Sequence, residues 1–243
     1  GSLLYSWNVG MGVNFAALYA YYLASPLNWL IMLCPKGYVI EFMTYMIVFK
    51  SGLAGLSMAW YLKKHTGSQK FGACYFGVFY ALSGYMAAYS WNIMWLDCIV
   101  LLPLILHGLE RLVREKKGLF YCLMLGLSIL SNYYISIMIC LFMVIYYVAL
   151  LFLEKRPGWK DCLHSFFLFG VYSLLAGALA AAVLLPEIAA LQSTASGDFN
   201  FPTTLEIYFP IFDMIARHIG NVQVETGLDH WPNLYCGVAV YIF

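Results

Sequence analysis

Asp97 is the residue with the clearest chemical potential in this sequence. It ends the stretch Trp91-Asn92-Ile93-Met94-Trp95-Leu96-Asp97, a short polar and aromatic turn that leads into an apolar run. An ionised carboxylate there calls for water, a metal or a cation, because a bare charge in hydrocarbon is costly. Two readings stay open: a functional carboxylate, or an acid at a helix entry favoured by the N-terminal macrodipole. Lys50 is its natural counterpart, set inside the apolar run 39–62 and too deep for its ammonium to reach the interface easily. A structural ion pair with Asp97 or Glu41 fits Lys50, and so does the binding of an anionic lipid phosphate.

Other candidates are groups that suit sugar hydroxyls. Ser131-Asn132-Tyr133-Tyr134 joins a short apolar run to a long one, and Asn132, Tyr133 and Tyr134 offer donors and acceptors there. A helix cap with interfacial tyrosines explains the same residues. Trp7, Asn8, Asn14 and Tyr19 to Tyr22 could form an aromatic and amide surface, as could Trp91, Asn92 and Trp95. An aromatic belt at the membrane boundary is the alternative for the first group. Glu187 stands beside a long polar segment, and Arg217 is a cation within it. His218 and His230 lie near Asp213, Glu225 and Asp229, but no HExxH or similar metal-ligand spacing occurs. A P-loop, a GxGxxG and a Gly-x-Ser-x-Gly element are likewise missing from the 243 residues, which disfavours an ATPase, a dehydrogenase and an α/β-hydrolase.

What positions these groups is a set of apolar runs between basic loops. Hydrophobic residues make up 63% of the chain and charged residues 10%, against about 25% charged in ordinary soluble domains. Ten of the thirteen Lys and Arg residues fall in three loops: Lys63, Lys64 and Lys70; Arg111, Arg114, Lys116 and Lys117; Lys155, Arg156 and Lys160. Positive charge is retained on the cytoplasmic side during insertion, so the three loops mark one face. The runs 39–62, 71–89, 93–109, 119–130, 135–153 and 166–185 then make six crossings, with 237–243 starting another. The spacing predicts an extracytoplasmic segment 1–38, a transmembrane bundle 39–186, an extracytoplasmic loop 187–236 and a further helix from 237. Pro186-Glu187 would end the last full crossing. Eight of the twelve acidic residues (Glu41, Asp97, Glu187, Asp198, Glu206, Asp213, Glu225 and Asp229) sit on or near the outer side.

Ser25-Pro26 predicts the start of a short interfacial helix over 27–33, and Phe199, Phe201, Tyr208, Phe209, Ile211 and Phe212 predict that the outer loop packs on the bundle. A net charge of +1 disfavours a nucleic-acid partner. The seven cysteines are scattered through apolar runs, as small core residues are, and form neither a disulfide framework nor a CxxC site. With no signal peptide, no initiating Met and an apolar run at Phe243, the sequence reads as a piece of a longer protein.

Six stretches together resemble the YfhO family of bacterial multi-pass membrane proteins. They are 5–14 (Tyr5-Ser-Trp-Asn-Val-Gly-Met-Gly-Val-Asn14), 21–26 (Tyr21-Tyr-Leu-Ala-Ser-Pro26), Trp91 to Asp97, 102–106 (Leu102-Pro-Leu-Ile-Leu106), Ser131 to Tyr134, and 232–237 (Pro232-Asn-Leu-Tyr-Cys-Gly237). The likeness runs through essentially all 243 residues. It implies an all-α polytopic fold like that of GT-C glycosyltransferases, in the bacterial cytoplasmic membrane. It also implies sugar transfer from a polyprenyl-phosphate donor to a cell-envelope polymer of teichoic-acid type on the outer face. Enzymes of the GT-C kind usually carry their catalytic Asp in the first outer loop. Residues 3–38 hold no Asp or Glu, so the main acid is expected upstream, with Asp97 and Glu187 as supporting carboxylates. Lys50 or Arg217 would face the departing phosphate. The resemblance allows a divalent metal without fixing one. The competing class is a non-catalytic lipid or polymer transporter, or a scaffold of an envelope glycosylation complex, since transporters also place charges in midplane cavities.

Overall fold

A computed structural model describes residues 5–7, 12–67, 71–153, 158–192, 210–219 and 233–242. Its helices follow the apolar runs. They are α1 (Phe15–Leu18), α2 (Val39–Thr66), α3 (Gly72–Ala81), α4 (Gly84–Tyr89), α5 (Ile93–Glu115), α6 (Leu119–Ser131), α7 (Tyr133–Leu153), α8 (Trp159–Leu179), α9 (Ala181–Gln192), α10 (Ile211–Ile219) and α11 (Ala239–Ile242). A two-residue antiparallel pair, β1 (Tyr5–Ser6) with β2 (Val13–Asn14), precedes α1. The protein is an all-α membrane protein. Among the described residues four helical stretches, Lys36–Thr66, Ile93–Glu115, Tyr133–Leu153 and Trp159–Leu179, are long and apolar enough to cross a membrane.

The core is a seam of α5, α6 and α7. Cys98, Leu101, Ile105, Leu109 and Leu112 recur every three or four residues on α5, so one stripe of that helix faces inward. They meet Tyr121, Cys122, Leu125 and Ile129 of α6, then Ile135, Ile139, Met143, Tyr147 and Leu150 of α7. Tyr147 stacks on Phe169 of α8 with ring centroids 4.6 Å apart. Helices α2 and α8 are peripheral and expose Val48, Phe49, Leu56, Phe166, Phe167 and Leu174, as lipid-facing helices do. Small residues set the α2–α3 approach. A side chain at Gly77 would meet the Gly55 carbonyl oxygen at 2.6 Å, so only glycine lets the two backbones lie this close.

Two sequence expectations need correction. The run 71–89 is not one helix: it breaks at Leu82 and Ser83 between α3 and α4. The Gly84 N–H that the break frees donates to the Tyr235 carbonyl at 2.7 Å, so the returning segment 233–237 satisfies it. The last long run does not end at Pro186-Glu187. The break falls earlier, at Ala180 between α8 and α9, and Pro186 lies inside α9. Proline has no N–H to give to Ala182 four residues back, and Ala182 and Pro186 both border a cavity described below. The short helix after Ser25-Pro26 ends at Leu33, where Cys34 and Pro35 are extended. A 3₁₀ turn, Lys36–Tyr38, carries the chain straight into α2.

Among the described residues Lys63, Lys64, Arg111, Arg114, Lys116 and Lys117 gather at one end of the bundle. Gly67, left-handed at φ 65°, stops α2 just past Lys63 and Lys64. Lys116, also left-handed, stops α5, and its ammonium donates to the Val113 carbonyl at 2.9 Å and to the Ser165 hydroxyl of α8. The candidate residues Asp97, Asn132 and Glu187 lie toward the opposite end.

Candidate functional site

The N-terminal segment is what the opposite end is built around. Asn14 caps α1, its side-chain oxygen accepting the Ala16 N–H at 3.1 Å. A π-turn, Tyr19–Leu23, follows, then a 3₁₀ helix, Asn28–Leu33. The expected interfacial helix at 27–33 is therefore present in 3₁₀ form, with the Asn28 N–H donating to the Ser25 carbonyl at 3.1 Å.

Beneath this segment lies an ion pair. Lys50 of α2 is fully buried, and its ammonium donates to Asp97 Oδ2 at 2.6 Å, Asn28 Oδ1 at 2.6 Å and the Ile93 carbonyl at 3.0 Å. The Ser25 hydroxyl donates to the same Asp97 oxygen at 2.7 Å. Of the partners open to Lys50 from the sequence, the structure selects Asp97. Three donors of the ammonium are thus used on oxygen acceptors, which is how a charge at this depth is kept. Neither Lys50 nor Asp97 borders the two cavities that flank the segment.

Two cavities flank the segment. One of about 700 Å³ is bordered by Phe15, Tyr19, Trp29, Met32, Val183 and Pro186, and is almost wholly apolar. The other, of about 570 Å³, is bordered by Tyr21, Tyr22, Met46, Trp91, Asn92 and Trp95. Leu23, Asn28 and Ile31 border both. In the second cavity the Asn92 side chain is 4% exposed and its amide nitrogen makes no hydrogen bond. A buried, unsatisfied N–H₂ is costly without a partner. Burial pushes the Tyr21 phenol above its ordinary pKa, so it stays a neutral hydroxyl.

An aromatic band joins this cavity to Glu187. The Tyr21 ring packs edge-on against Tyr133 at 5.9 Å and near Tyr134 at 6.4 Å, while Tyr134 also meets Trp95 at 6.0 Å. The Tyr133 hydroxyl donates to Glu187 Oε1 at 2.6 Å, and Glu187 Oε2, buried, has no partner. Asn132 is a cap: its Oδ1 accepts the Ile135 N–H at 3.0 Å and its amide donates to the Tyr21 carbonyl at 3.1 Å.

The sequence candidates thus separate. Trp91, Asn92 and Trp95 share one cavity, and Tyr133, Tyr134 and Glu187 adjoin it. Lys50, Asp97, Asn14 and Asn132 are engaged in holding backbone or charge. Trp7 is exposed, and Arg217 and His218 lie in the last turn of α10, away from these residues in the chain. Asn8 and His230, and the loop anchors Phe199, Phe201, Tyr208 and Phe209, lie outside the described residues. Among the described residues no three His, Cys, Asp or Glu side chains gather, so they offer no evident donor set for a metal.

Sequence reasoning missed one cluster, at the basic end. Glu110 of α5, 2% exposed, accepts on Oε1 from Tyr61 of α2 at 2.7 Å, from Tyr146 of α7 at 2.6 Å and is 2.7 Å from His65 Nδ1. Arg114 reaches its other oxygen at 3.5 Å. The signal was an acid seven residues on from Pro103 and fourteen from Leu96, both buried on the same face of α5, obscured by the neighbouring arginines.

Comparison with known proteins agrees with the membrane architecture. The family described as "Bacterial membrane protein YfhO" matches residues 1–243. The chain is 22% identical over 205 residues to a Bacillus subtilis (strain 168) protein named "Uncharacterized protein YfhO". The alignment covers 77% of this chain and 24% of that protein, so the chain spans about a quarter of the length of the curated relative it matches. No solved structure matches the chain.

Proposed function

This chain belongs to the YfhO family of bacterial membrane proteins, and from that premise we propose that it forms part of a GT-C-like glycosyltransferase. The reaction moves a sugar from a polyprenyl-phosphate donor to a cell-envelope polymer of teichoic-acid type. The observation that carries this reading is the 570 Å³ cavity with its unpartnered, buried Asn92 amide among Tyr21, Tyr22, Trp91 and Trp95. That volume falls in the range of about 300–1,000 Å³ usual for small-ligand sites, which are mostly apolar with a few placed polar groups. Flat aromatic faces take the apolar side of a sugar ring, and the Asn92 amide takes a hydroxyl.

In this reading the donor's lipid stays in the bilayer beside Phe42 and Met43, and its sugar enters the cavity. The acceptor hydroxyl oxygen attacks the anomeric carbon, the bond to phosphate breaks, and polyprenyl phosphate leaves. A carboxylate takes the hydroxyl proton. Glu187, with one oxygen held by Tyr133 and the other unpartnered, is the described carboxylate best arranged to assist. Lys50 is closed inside its ion pair, so the cation facing the departing phosphate comes from Arg217 or from outside the described residues. We place the protein in the bacterial cytoplasmic membrane with residues 1–38 and 187–236 extracytoplasmic and six crossings between, counting α3 with α4 and α8 with α9 as broken helices.

The transporter reading drew on Lys50 as a cavity charge, and Lys50 borders neither of these two cavities. The test uses purified full-length protein with a radiolabelled polyprenyl-phosphate sugar and an isolated teichoic-acid acceptor. Transfer of label is expected, and Asn92→Leu should lower kcat/KM about tenfold or more, the worth of one buried hydrogen bond of ~1–3 kcal/mol. A protein that binds the donor and never transfers its sugar would favour transport or scaffolding.

A further inference from the structure

The wall between the two cavities is attached in an unusual way. Residues 25–33 expose Trp29, Leu30, Ile31, Met32 and Leu33. The backbone hydrogen bonds of the stretch close on itself: Asn28 N–H to the Ser25 carbonyl, Leu30 N–H to Leu27, Cys34 N–H to Ile31. The Trp29 indole N–H also turns back, donating to the Leu23 carbonyl at 2.8 Å. Among the described residues its polar ties to the rest of the bundle are two side chains, Ser25 and Asn28. Both end on the same buried pair, Ser25 on Asp97 and Asn28 on Lys50. Its Asn28–Leu33 part is a six-residue 3₁₀ helix, longer than the three or four residues at which that geometry, with its poorer hydrogen bonds, is usually abandoned.

We propose that Ser25 and Asn28 are positioning residues that latch this wall, and that the Lys50–Asp97 pair serves as the fixed post to which they fasten. With the latch closed, the 700 Å³ and 570 Å³ cavities are separate chambers. With it open, Leu23, Asn28 and Ile31 leave their shared border and the two chambers join. The pair supports this role because it stays complete without the wall: the ammonium keeps Asp97 and the Ile93 carbonyl. The wall has no comparable second attachment, so its opening free energy is low relative to that of the bundle.

The latch is tested by amide hydrogen exchange on the full-length protein in lipid nanodiscs, read by mass spectrometry on a peptide covering 24–34 and on peptides from α5 and α6. The variant Ser25→Ala with Asn28→Ala should speed exchange of the wall peptide at least tenfold and leave α5 and α6 unchanged. Ser25→Thr with Asn28 intact keeps a hydroxyl donor for Asp97 and the amide oxygen on Lys50, and should exchange at the wild-type rate. Unchanged exchange in the alanine variant would overturn the proposal. Equal acceleration in α5 and α6 would overturn it too, since it would make the two residues general supports of the fold. The measurement needs no sugar transfer, so it stands or falls separately from the glycosyltransferase reading.

Discussion

The Lys50–Asp97 pair gives a quantitative test of how charge is kept inside this bundle. Asp97→Asn preserves the shape of the side chain and removes its charge, so a fully buried ammonium is left with the Asn28 oxygen at 2.6 Å and the Ile93 carbonyl at 3.0 Å. Removing one partner of a buried pair costs about 3–5 kcal/mol. Two neutral acceptors remain on the cation, which puts this substitution at the lower end, near ~3 kcal/mol. Lys50→Met is the harsher change, since the Asp97 carboxylate keeps only the Ser25 hydroxyl among the hydrogen bonds described here; near ~5 kcal/mol is expected. The double variant contains no buried charge. Its loss is confined to neutral hydrogen bonds at Ser25 and Asn28, about 1 kcal/mol each. The double variant should therefore be at least ~3 kcal/mol more stable than the sum of the single losses allows. Unfolding of the purified protein in mixed micelles with rising SDS, followed by tryptophan fluorescence, measures all three. Additivity within ~0.5 kcal/mol would refute the reasoning, because it would mean the two charges act independently. The same proteins decide the role of Asp97 in catalysis: as the post for the wall, Asp97→Asn retains some transfer per folded molecule, whereas a catalytic carboxylate loses all of it.

Other outcomes follow from single features. Glu110→Leu removes the acceptor shared by the Tyr61 and Tyr146 hydroxyls, which lie 3.1 Å apart and can still pair with each other, and should lower stability by about 1–3 kcal/mol in the same SDS titration. Gly77→Ala places a carbon 2.6 Å from the Gly55 carbonyl oxygen and should cost about 1–3 kcal/mol by forcing α2 and α3 apart; a neutral effect would show that the seam can relax. On topology, a cysteine at Thr66 should react with an impermeant maleimide only from the cytoplasm and one at Leu33 only from outside. The opposite sidedness would invert the orientation drawn from the basic loops.

Much of this arrangement was legible in the sequence where the physics leaves few choices. A lysine inside an apolar run needs a partner, and Asp97 was one of two acids near enough in depth to serve, so the pair could be named before any coordinates. The long helices α2, α5 and α7 follow from unbroken apolar length, which lipid requires and which few other environments would. Neutral polar residues carry no such constraint. Ser25 read as a helix-start residue because serine often is one, and its donation to Asp97 depends on a fold that brings α5 beside it. Glu110 was invisible for the opposite reason: next to Arg111 and Arg114 it looks like a surface acid at a helix end, and only the α2 and α7 tyrosines make it a buried one.

The helix breaks show where local rules fail and why the failures matter. The apolar run 71–89 read as one crossing, yet the chain breaks before Gly84, whose N–H the Tyr235 carbonyl accepts. Proline rules place a helix end at Pro186, yet the end comes at Ala180 and Pro186 rides inside α9. In a water-soluble protein either break could be satisfied by solvent. In lipid, irregular backbone survives only against protein or a lined cavity. Each break here meets that condition, one through segment 233–237 and the other beside the 700 Å³ cavity. Breaks of this kind are therefore signposts in a membrane sequence, and both lead to the end of the bundle where Asn92 and Glu187 hold unpartnered polar atoms.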